Sequence, residues 1–527
     1  MDTTLIDALR AQLQRETGQP VALVETHISW VLLTPTQALK LKKPVRLPFL
    51  DFGTPESRRH FCEEELRLNR RFAPSLYIDV APVCGTPESP CIGGGGMPID
   101  HVVRMRRFDE SALLRNLVAA DALEPRLLDG FAQRLAGLHG QAPRAAPVSG
   151  FGAPDVIVRA AADVLASLRA QVHEGEGRKD EGARAASLAE IGRWIEDQGH
   201  ALRMAWIARQ QAGAVRECHG DLHLANVVLV DGALTPFDCI EFDPALRWID
   251  VMSDVAFLAM DLKAHGHGEL AFRFLDAWLQ HSGDYAGLQV LRFYEVYRAL
   301  VRAMASGLMP GEPDEPGDPD ARRKGPDYLA CARQLAAPSE AGPRLLITHG
   351  FSGSGKSSVA RQLLCAAGAV RVRSDVERKR LFGLAPMERS AAAGLDIYGA
   401  EATRRTFERL RACARDALLA GYPAIVDAAF LRSAERRSFE ALATELRVPF
   451  SILDCSATPA TLRHRVTERE AAGADASEAG LAVLERQLAT HEPLDADERR
   501  AAIEVSTEEA VDIAQLLAQW RSAGFGW

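Results

Sequence analysis

No Cys-x-x-Cys pair occurs anywhere in the 527 residues, and the nine cysteines (Cys62, Cys84, Cys91, Cys218, Cys239, Cys331, Cys365, Cys413 and Cys455) form an odd, scattered set. That spacing indicates neither a zinc site nor a disulfide framework. Positive charge is not in excess: 62 basic against 71 acidic residues leave a formal net charge of -9, which argues against nucleic acid or an anionic membrane as the main partner. No apolar run approaches the length that spans a bilayer. The start, Met1-Asp2-Thr3-Thr4 followed by Leu5, Ile6, Leu9 and Leu13, reads as a capped amphipathic helix and lacks the basic start and apolar core of a signal peptide. The expectation is a reduced, cytoplasmic protein with no membrane and no nucleic-acid partner. Internal repeats are also lacking, so the halves of the chain are not duplicates of each other.

The length exceeds one ordinary domain, and the clearest punctuation is the run from Pro310 to Asp320. There Pro310, Pro313, Pro316 and Pro319 alternate with Glu312, Asp314, Glu315, Asp318 and Asp320, a composition that neither packs nor sustains a helix. A short helix is expected at Tyr328–Ala336, then the stretch Pro338 to Pro343. Before this connector, β-like runs at Val21–Val24, Trp30–Thr34 and Ala38–Lys42 precede a helix around Glu63–Phe72. Strand candidates Tyr77–Val83 and Val102–Arg106 flank the glycines Gly93 to Gly96, and beyond about residue 110 the pattern turns helical. After the connector, strands and helices alternate, which predicts a parallel sheet covered by helices on both faces.

Two motifs carry chemistry. Gly350-Phe351-Ser352-Gly353-Ser354-Gly355-Lys356-Ser357 fills every fixed position of a P-loop, preceded by an apolar strand and followed by a helix from Ser358. Its backbone N–H groups and the positive end of the helix suit ATP phosphates; Lys356 would reach the β- and γ-phosphates and Ser357 would ligate Mg²⁺. Asp375, read as the end of the second strand, is the candidate for activating an acceptor hydroxyl. The alternative is a Ser374-x-x-Glu377 capping box that leaves Asp375 as a first-turn acid. Asp427, after Ala424-Ile425-Val426, either orients the metal shell or caps a helix. Arg463, Arg465 and Arg469, on a helix after Pro459, either form a lid that neutralises transferring phosphate or are solvated side chains of an exposed helix.

The other motif is His219-Gly220-Asp221-Leu222-His223-Leu224-Ala225-Asn226. Phosphoryl transfer needs a carboxylate beside the acceptor hydroxyl and oxygen ligands for Mg²⁺. Asp221 fits the first role and Asn226 the second. Asp238 would return beside Asn226 through a hairpin turning at Asp231-Gly232, while His219 and His223 brace the loop. Lys40 and Lys42 share a strand face and are both candidates for the ATP α/β-phosphate contact, with Lys40 favoured. Glu65, on the apolar stripe of Phe61, Leu68 and Phe72, is the candidate partner, a solvated acidic face being the alternative. Asp243, Asp250 and Asp254 either favour a cationic substrate or cap helices and pair with Arg247. The stretch Glu25-Thr26-His27-Ile28-Ser29, where a phosphate-clamping glycine loop would lie, has no glycine.

His219 to Asn226 with Asp238 resembles the aminoglycoside phosphotransferase and choline kinase superfamily over about residues 20 to 310. The resemblance implies a small-molecule hydroxyl acceptor. Residues 343 to 520 resemble the gluconate kinase, zeta toxin and polynucleotide kinase branch of P-loop kinases. The order of the two halves resembles a bacterial group of phosphotransferase and P-loop ATPase fusions, a likeness that extends to His60–Glu65 and Phe237–Phe242. The expected fold is therefore α+β and α/β in two domains. A bilobal protein-kinase-like domain (1–309) and a connector (310–340) precede a P-loop NTPase domain with a parallel sheet (341–527). Two function classes follow: a bifunctional ATP- and Mg²⁺-dependent small-molecule kinase, or a P-loop enzyme restrained by a kinase-like sensor. A remodelling ATPase is the weakest reading, because nothing after the P-loop suggests a ring-forming site.

Overall fold

The computed structural model describes residues 3–47, 50–174, 181–308, 325–338, 342–390, 397–472 and 476–523. The acidic proline run and residues 339 and 340 of the expected connector lie outside them, as do Met1 and Asp2. Two compact units form: Met1–Arg134, Leu138–Ala153 and Arg209–Leu258 make one, and Leu135–Gly137, Pro154–Ala208 and Ala259–Trp527 make the other. No helix among the described residues is long and apolar enough to cross a membrane.

The first unit opens with the helix Thr4–Thr17, which buries Ile6, Leu9 and Leu13 and ends at Gly18 in the left-handed region. Thr3 makes no side-chain cap; its hydroxyl donates to Asp7 instead, at 2.8 Å. This helix covers one face of a six-stranded antiparallel sheet. In spatial order the strands are Ala22–Glu25, Ser29–Leu33, Gln37–Lys42, Pro98–Arg106, Tyr77–Thr86 and Ser89–Ile92. The edge strand Ser89–Ile92 carries Pro90, and edges are where a sheet tolerates a missing donor. The helix Pro55–Phe72 starts earlier than its apolar stripe indicates, because Thr54 accepts from Ser57 N–H and Pro55 fills the first turn. Cys62 on that helix shares a core with Ala38, Tyr77, Val103 and Met105.

In the second unit the helix Tyr328–Ala336 buries Tyr328, Leu329, Cys331 and Ala332, and the Tyr328 hydroxyl donates to Asp261 at 2.7 Å. The P-loop part is a five-stranded parallel sheet. Leu345–His349 lies at its centre, between Ala424–Asp427 and Phe450–Ser456; Val370–Arg373 and Ala502–Ser506 form the edges. The central strand is buried at every position, as a strand covered on both faces must be. Chain order and spatial order diverge at this strand, which places a ligand crevice at its carboxyl end. The P-loop begins there.

Candidate functional site

In the first unit, Lys40 and Lys42 both point at Glu65. Lys40 Nζ lies 2.9 Å from Glu65 Oε1 and 2.5 Å from Asp238 Oδ1. Lys42 Nζ lies 2.8 Å from Glu65 Oε2 and also pairs with Glu241. Glu65 is completely buried, so the solvated-face alternative is excluded. Burial alone would push the Glu65 carboxyl up, but Lys40 and Lys42 pull it down to about 2. Burial likewise opposes the Lys40 charge, and Asp238 and Glu65 more than offset it, holding Lys40 well above its ordinary value. Burial pushes Glu241 up, with Lys42 pulling against it. Because Glu65 is depressed in the folded chain, its contribution to stability is present above pH 4.5 and lost as pH falls toward about 2. Acid titration followed by circular dichroism should show that limb in the wild type and not in Glu65→Gln; equal acid midpoints would count against the assignment.

The loop from His219 to Asn226 is held by a buried carboxylate. Asp254 accepts from His219 N–H at 2.7 Å and from Gly220 N–H at 2.9 Å, and His139 Nε2 lies 3.3 Å from the same carboxylate. Gly220 has φ 86°, and a Cβ there would sit 2.6 Å from the Leu246 carbonyl oxygen, so only glycine fits. Buried His219 has its pKa lowered by desolvation; its Nε2 bonds the Phe237 carbonyl at 2.9 Å while Nδ1 accepts from Asp221 N–H at 3.3 Å. Asn226 Nδ2 donates to Asp221 Oδ2 at 2.9 Å and His223 Nε2 lies 3.4 Å from that oxygen. Removing Asp254 strands two buried N–H groups, each at a cost of about 1–3 kcal/mol. Asp254→Ala should therefore lower the melting temperature and release the loop; an unchanged melt would contradict this.

The hairpin pairs Val227–Val230 with Ala233–Pro236 through a turn in which Asp231 has φ 51° and Gly232 φ 75°. Its closing bond, Phe237 N–H to the Asn226 carbonyl at 2.9 Å, sets Asp238 beside Asn226. Asp238 itself has φ 63°, a strain of about 1–3 kcal/mol for a non-glycine residue. Two buried side chains hold it there: Tyr77 Oη accepts from Asp238 N–H at 3.2 Å and Asn69 Oδ1 from Cys239 N–H at 2.9 Å. The turn after Glu25 is closed on Lys43, whose Nζ donates to Glu25 Oε1 at 2.5 Å and to the Thr26 carbonyl.

Three downstream acids do not behave as a cationic-substrate set. Asp250 is buried against Arg209 at 2.6 Å, Asp254 anchors the loop, and Asp243 caps Pro244–Arg247. Arg247 pairs with Glu217 at 3.3 Å and Glu64 at 3.6 Å rather than with any of them. Sequence reasoning missed Glu241, Tyr77 and Asn69, which carry no local signal. Asp254 had one: it is an acid in the buried, largely apolar helix Val251–Ala264, where an unpaired carboxylate would be costly.

In the second unit, Gly350 has φ 138° and a Cβ there would sit 2.4 Å from the Cys455 carbonyl oxygen. Lys356 Nζ donates to the Phe351 carbonyl at 2.9 Å, and burial lowers its pKa with Asp427 opposing. Ser357 Oγ donates to Asp427 Oδ1 at 2.9 Å; Asp427 Oδ2 is buried without a hydrogen-bond partner. Gly353, Gly355, Lys356, Ser357, Ser358, Asp375, Asp427, Arg465 and Arg469 all line one cavity of about 430 Å³. Ser354 lies in the same loop, and its carbonyl accepts from Thr507 Oγ1 at 3.0 Å. Arg465 Nη1 donates to the Gly353 carbonyl of the loop at 3.4 Å and its Nη2 to the Thr507 carbonyl at 2.6 Å, and Arg469 Nη2 donates to the Ala479 carbonyl at 2.6 Å. Arg463 is exposed against Glu485 at 2.7 Å.

Asp375 does not end a strand; it lies in the first turn of the helix Ser374–Leu381. The capping box is not formed. The cap position is Arg373, without a side-chain bond, and Glu377 is buried between Arg380 at 3.1 Å and Arg409 at 2.9 Å. Asp375 therefore faces the cavity with Arg378 and Tyr398, two lining groups that the sequence did not announce.

A family model described as an AAA domain matches residues 345–494. The uncharacterized protein Rv2004c of Mycobacterium tuberculosis is 30% identical over 466 residues, covering 88% of this chain and 89% of its own. The chain belongs to the family of that mycobacterial protein. A choline kinase from Cryptosporidium parvum Iowa II matches 64% of this chain and 93% of its own at 12% identity and a TM-score of 0.36. A gluconokinase from Sinorhizobium meliloti 1021 matches 34% and 91% at 17% identity and a TM-score of 0.24. At such scores neither neighbour adds to what strand order and loop geometry establish: a part with an antiparallel sheet followed by a P-loop part with a parallel one.

Proposed function

We propose that the chain is an ATP-dependent phosphotransferase with two sites, each moving the γ-phosphoryl group to an alcohol hydroxyl of a small molecule. The observation that carries the reading is the Lys40–Glu65–Asp238 set of ion pairs beside the bonded pair Asp221 and Asn226. Lys40 is the ATP-side lysine, because Lys42 is shut in with two buried carboxylates while Lys40 reaches the partly exposed Asp238. Asp221 takes the acceptor proton as the acceptor oxygen bonds phosphorus and the bond to the ADP oxygen breaks, that electron pair leaving with ADP.

Mg²⁺ would supply charge neutralisation on the phosphates at both sites. Asn226 and Asp238 offer hard oxygen donors for it in the first, and Ser357 and Asp427 in the second, where Asp427 Oδ2 accepts no hydrogen bond and has only the charges of Arg371 and Arg373 nearby, each at 3.6 Å. In the second site Lys356 binds the β/γ-phosphates, Asp375 activates the acceptor, and Arg465 and Arg469 lie at the transferring phosphate. A sensor role for the first unit is favoured by one feature, the glycine-free turn closed on Lys43. ATP-dependent phosphorylation of a metabolite and sugar library by the intact protein tests the reading; no labelled product from any alcohol would overturn it.

A further inference from the structure

The helix Gly268–Ser282 precedes the connector in sequence, yet within the second unit its Asp276 reaches the P-loop sheet. Asp276 is buried and takes Arg371 in a two-pronged grip, Nη2 to Oδ2 at 2.8 Å and Nε to Oδ1 at 3.3 Å. Arg371 Nη1 then donates to the Ser357 carbonyl at 3.1 Å and lies 3.6 Å from Asp427 Oδ2. One guanidinium thus touches both residues assigned to the metal. Gln280 Nε2 holds Asp276 Oδ2 at 2.5 Å, and the Tyr285 hydroxyl donates to the Arg371 carbonyl at 3.2 Å. Nearby, Arg409 Nη2 donates to the Gly283 carbonyl at 2.8 Å and Arg380 Nη1 to the His281 carbonyl at 3.0 Å. These arginines share Glu377, on the helix that carries Asp375.

We propose that Asp276 is a positioning residue of the P-loop site, acting through Arg371 on Ser357 and Asp427, so that metal-assisted nucleotide binding after the connector depends on a helix before it. The proposal rests on the nucleotide and metal roles assigned above. A planar guanidinium held at Nε and Nη2 has its remaining nitrogen aimed in a fixed direction. Here that direction is the Ser357 carbonyl, and the Arg371 charge is matched by Asp276. Without Asp276 the buried cation turns to Asp427, its remaining carboxylate within reach, and competes there with the metal.

The test uses the full chain, comparing wild type with Asp276→Asn and Arg371→Lys. Hydrogen exchange is read without nucleotide in segments 353–358 and 424–427, and ADP affinity is read by calorimetry with Mg²⁺ and with EDTA. Both variants should exchange faster in those segments and lose about 10- to 100-fold of the Mg²⁺-dependent gain in affinity, the scale on which supporting residues act on metal sites. Affinity in EDTA should stay near wild type. Phe272→Leu, on the same helix but partly buried against the core, should lower the melting temperature and leave the Mg²⁺ gain intact. If Asp276→Asn does not fold, Arg371→Lys decides, since it keeps a cation against Asp276 while losing the fork. Either variant folded with wild-type exchange and wild-type Mg²⁺ gain overturns the proposal. A wild type that binds no ADP would sink the nucleotide assignment instead, with exchange still deciding the positioning role.

Discussion

Lys356→Ala is expected to cut transfer at the P-loop site by about 10²–10³-fold, roughly 2.7–4 kcal/mol of transition-state stabilisation, the usual effect of deleting one preorganised donor. The side chain is half-buried and spans its own loop to the Phe351 carbonyl at 2.9 Å, across the loop whose N–H groups would face phosphate oxygens. Burial lowers its pKa and Asp427 opposes the shift, an arrangement that an arriving polyphosphate reinforces. Alanine is the best helix former and Lys356 opens the helix Lys356–Ala367, so the variant should fold and the loss should be specific. Nucleotide titration and transfer assays on the same preparation separate the two. Transfer at the wild-type rate would exclude the P-loop as a phosphoryl site.

The parts of this site that could be read in sequence are those whose cause is local. Strand, glycine turn and helix follow one another from Leu345 to Ala367, and each residue type answers a backbone need of its immediate neighbours. The same holds for the hairpin around Asp231-Gly232, which returns Asp238 to Asn226. Capping logic misled at Ser374 because the helix starts on that residue and Glu377 is drawn into a buried cluster with Arg380 and Arg409. Local preference for a cap is worth about 1 kcal/mol, and a carboxylate between two arginines outweighs it. The strand Ser89–Ile92 was hidden by its proline. Lys42 with Glu241, and Arg371 with Asp276, were invisible for a different reason: each pair joins segments far apart in the chain, and a buried charge reveals its partner only once the fold brings both together.

Asp221→Ala should lower transfer at the first site by about 10²–10⁴-fold, the range for a general base. Its carboxylate is fixed by Asn226 Nδ2 at 2.9 Å, and the loop below it is fixed by Asp254, so the substitution removes the acid without releasing the loop. Asn226 keeps its second bond, to the Asp221 carbonyl at 3.0 Å, which preserves the metal-side geometry. Nucleotide affinity should therefore change little while turnover falls, a split between kcat and KM that distinguishes lost chemistry from lost folding. The product pattern then separates the two function classes. In a bifunctional enzyme, Asp221→Ala and Lys356→Ala each abolish a different product from the same library. If Lys356→Ala removes all transfer while Asp221→Ala behaves as wild type, the first unit is a sensor that kept a kinase's ion pairs. Asp254→Ala in the full chain, which releases the His219 loop of the first unit, tests the toxin-restraint version, in which loss of the sensor makes the protein harmful to its host. Harmless expression beside a wild-type-like Asp221→Ala would leave sensing without restraint, and the glycine-free turn on Lys43 would be the place to look for what is sensed.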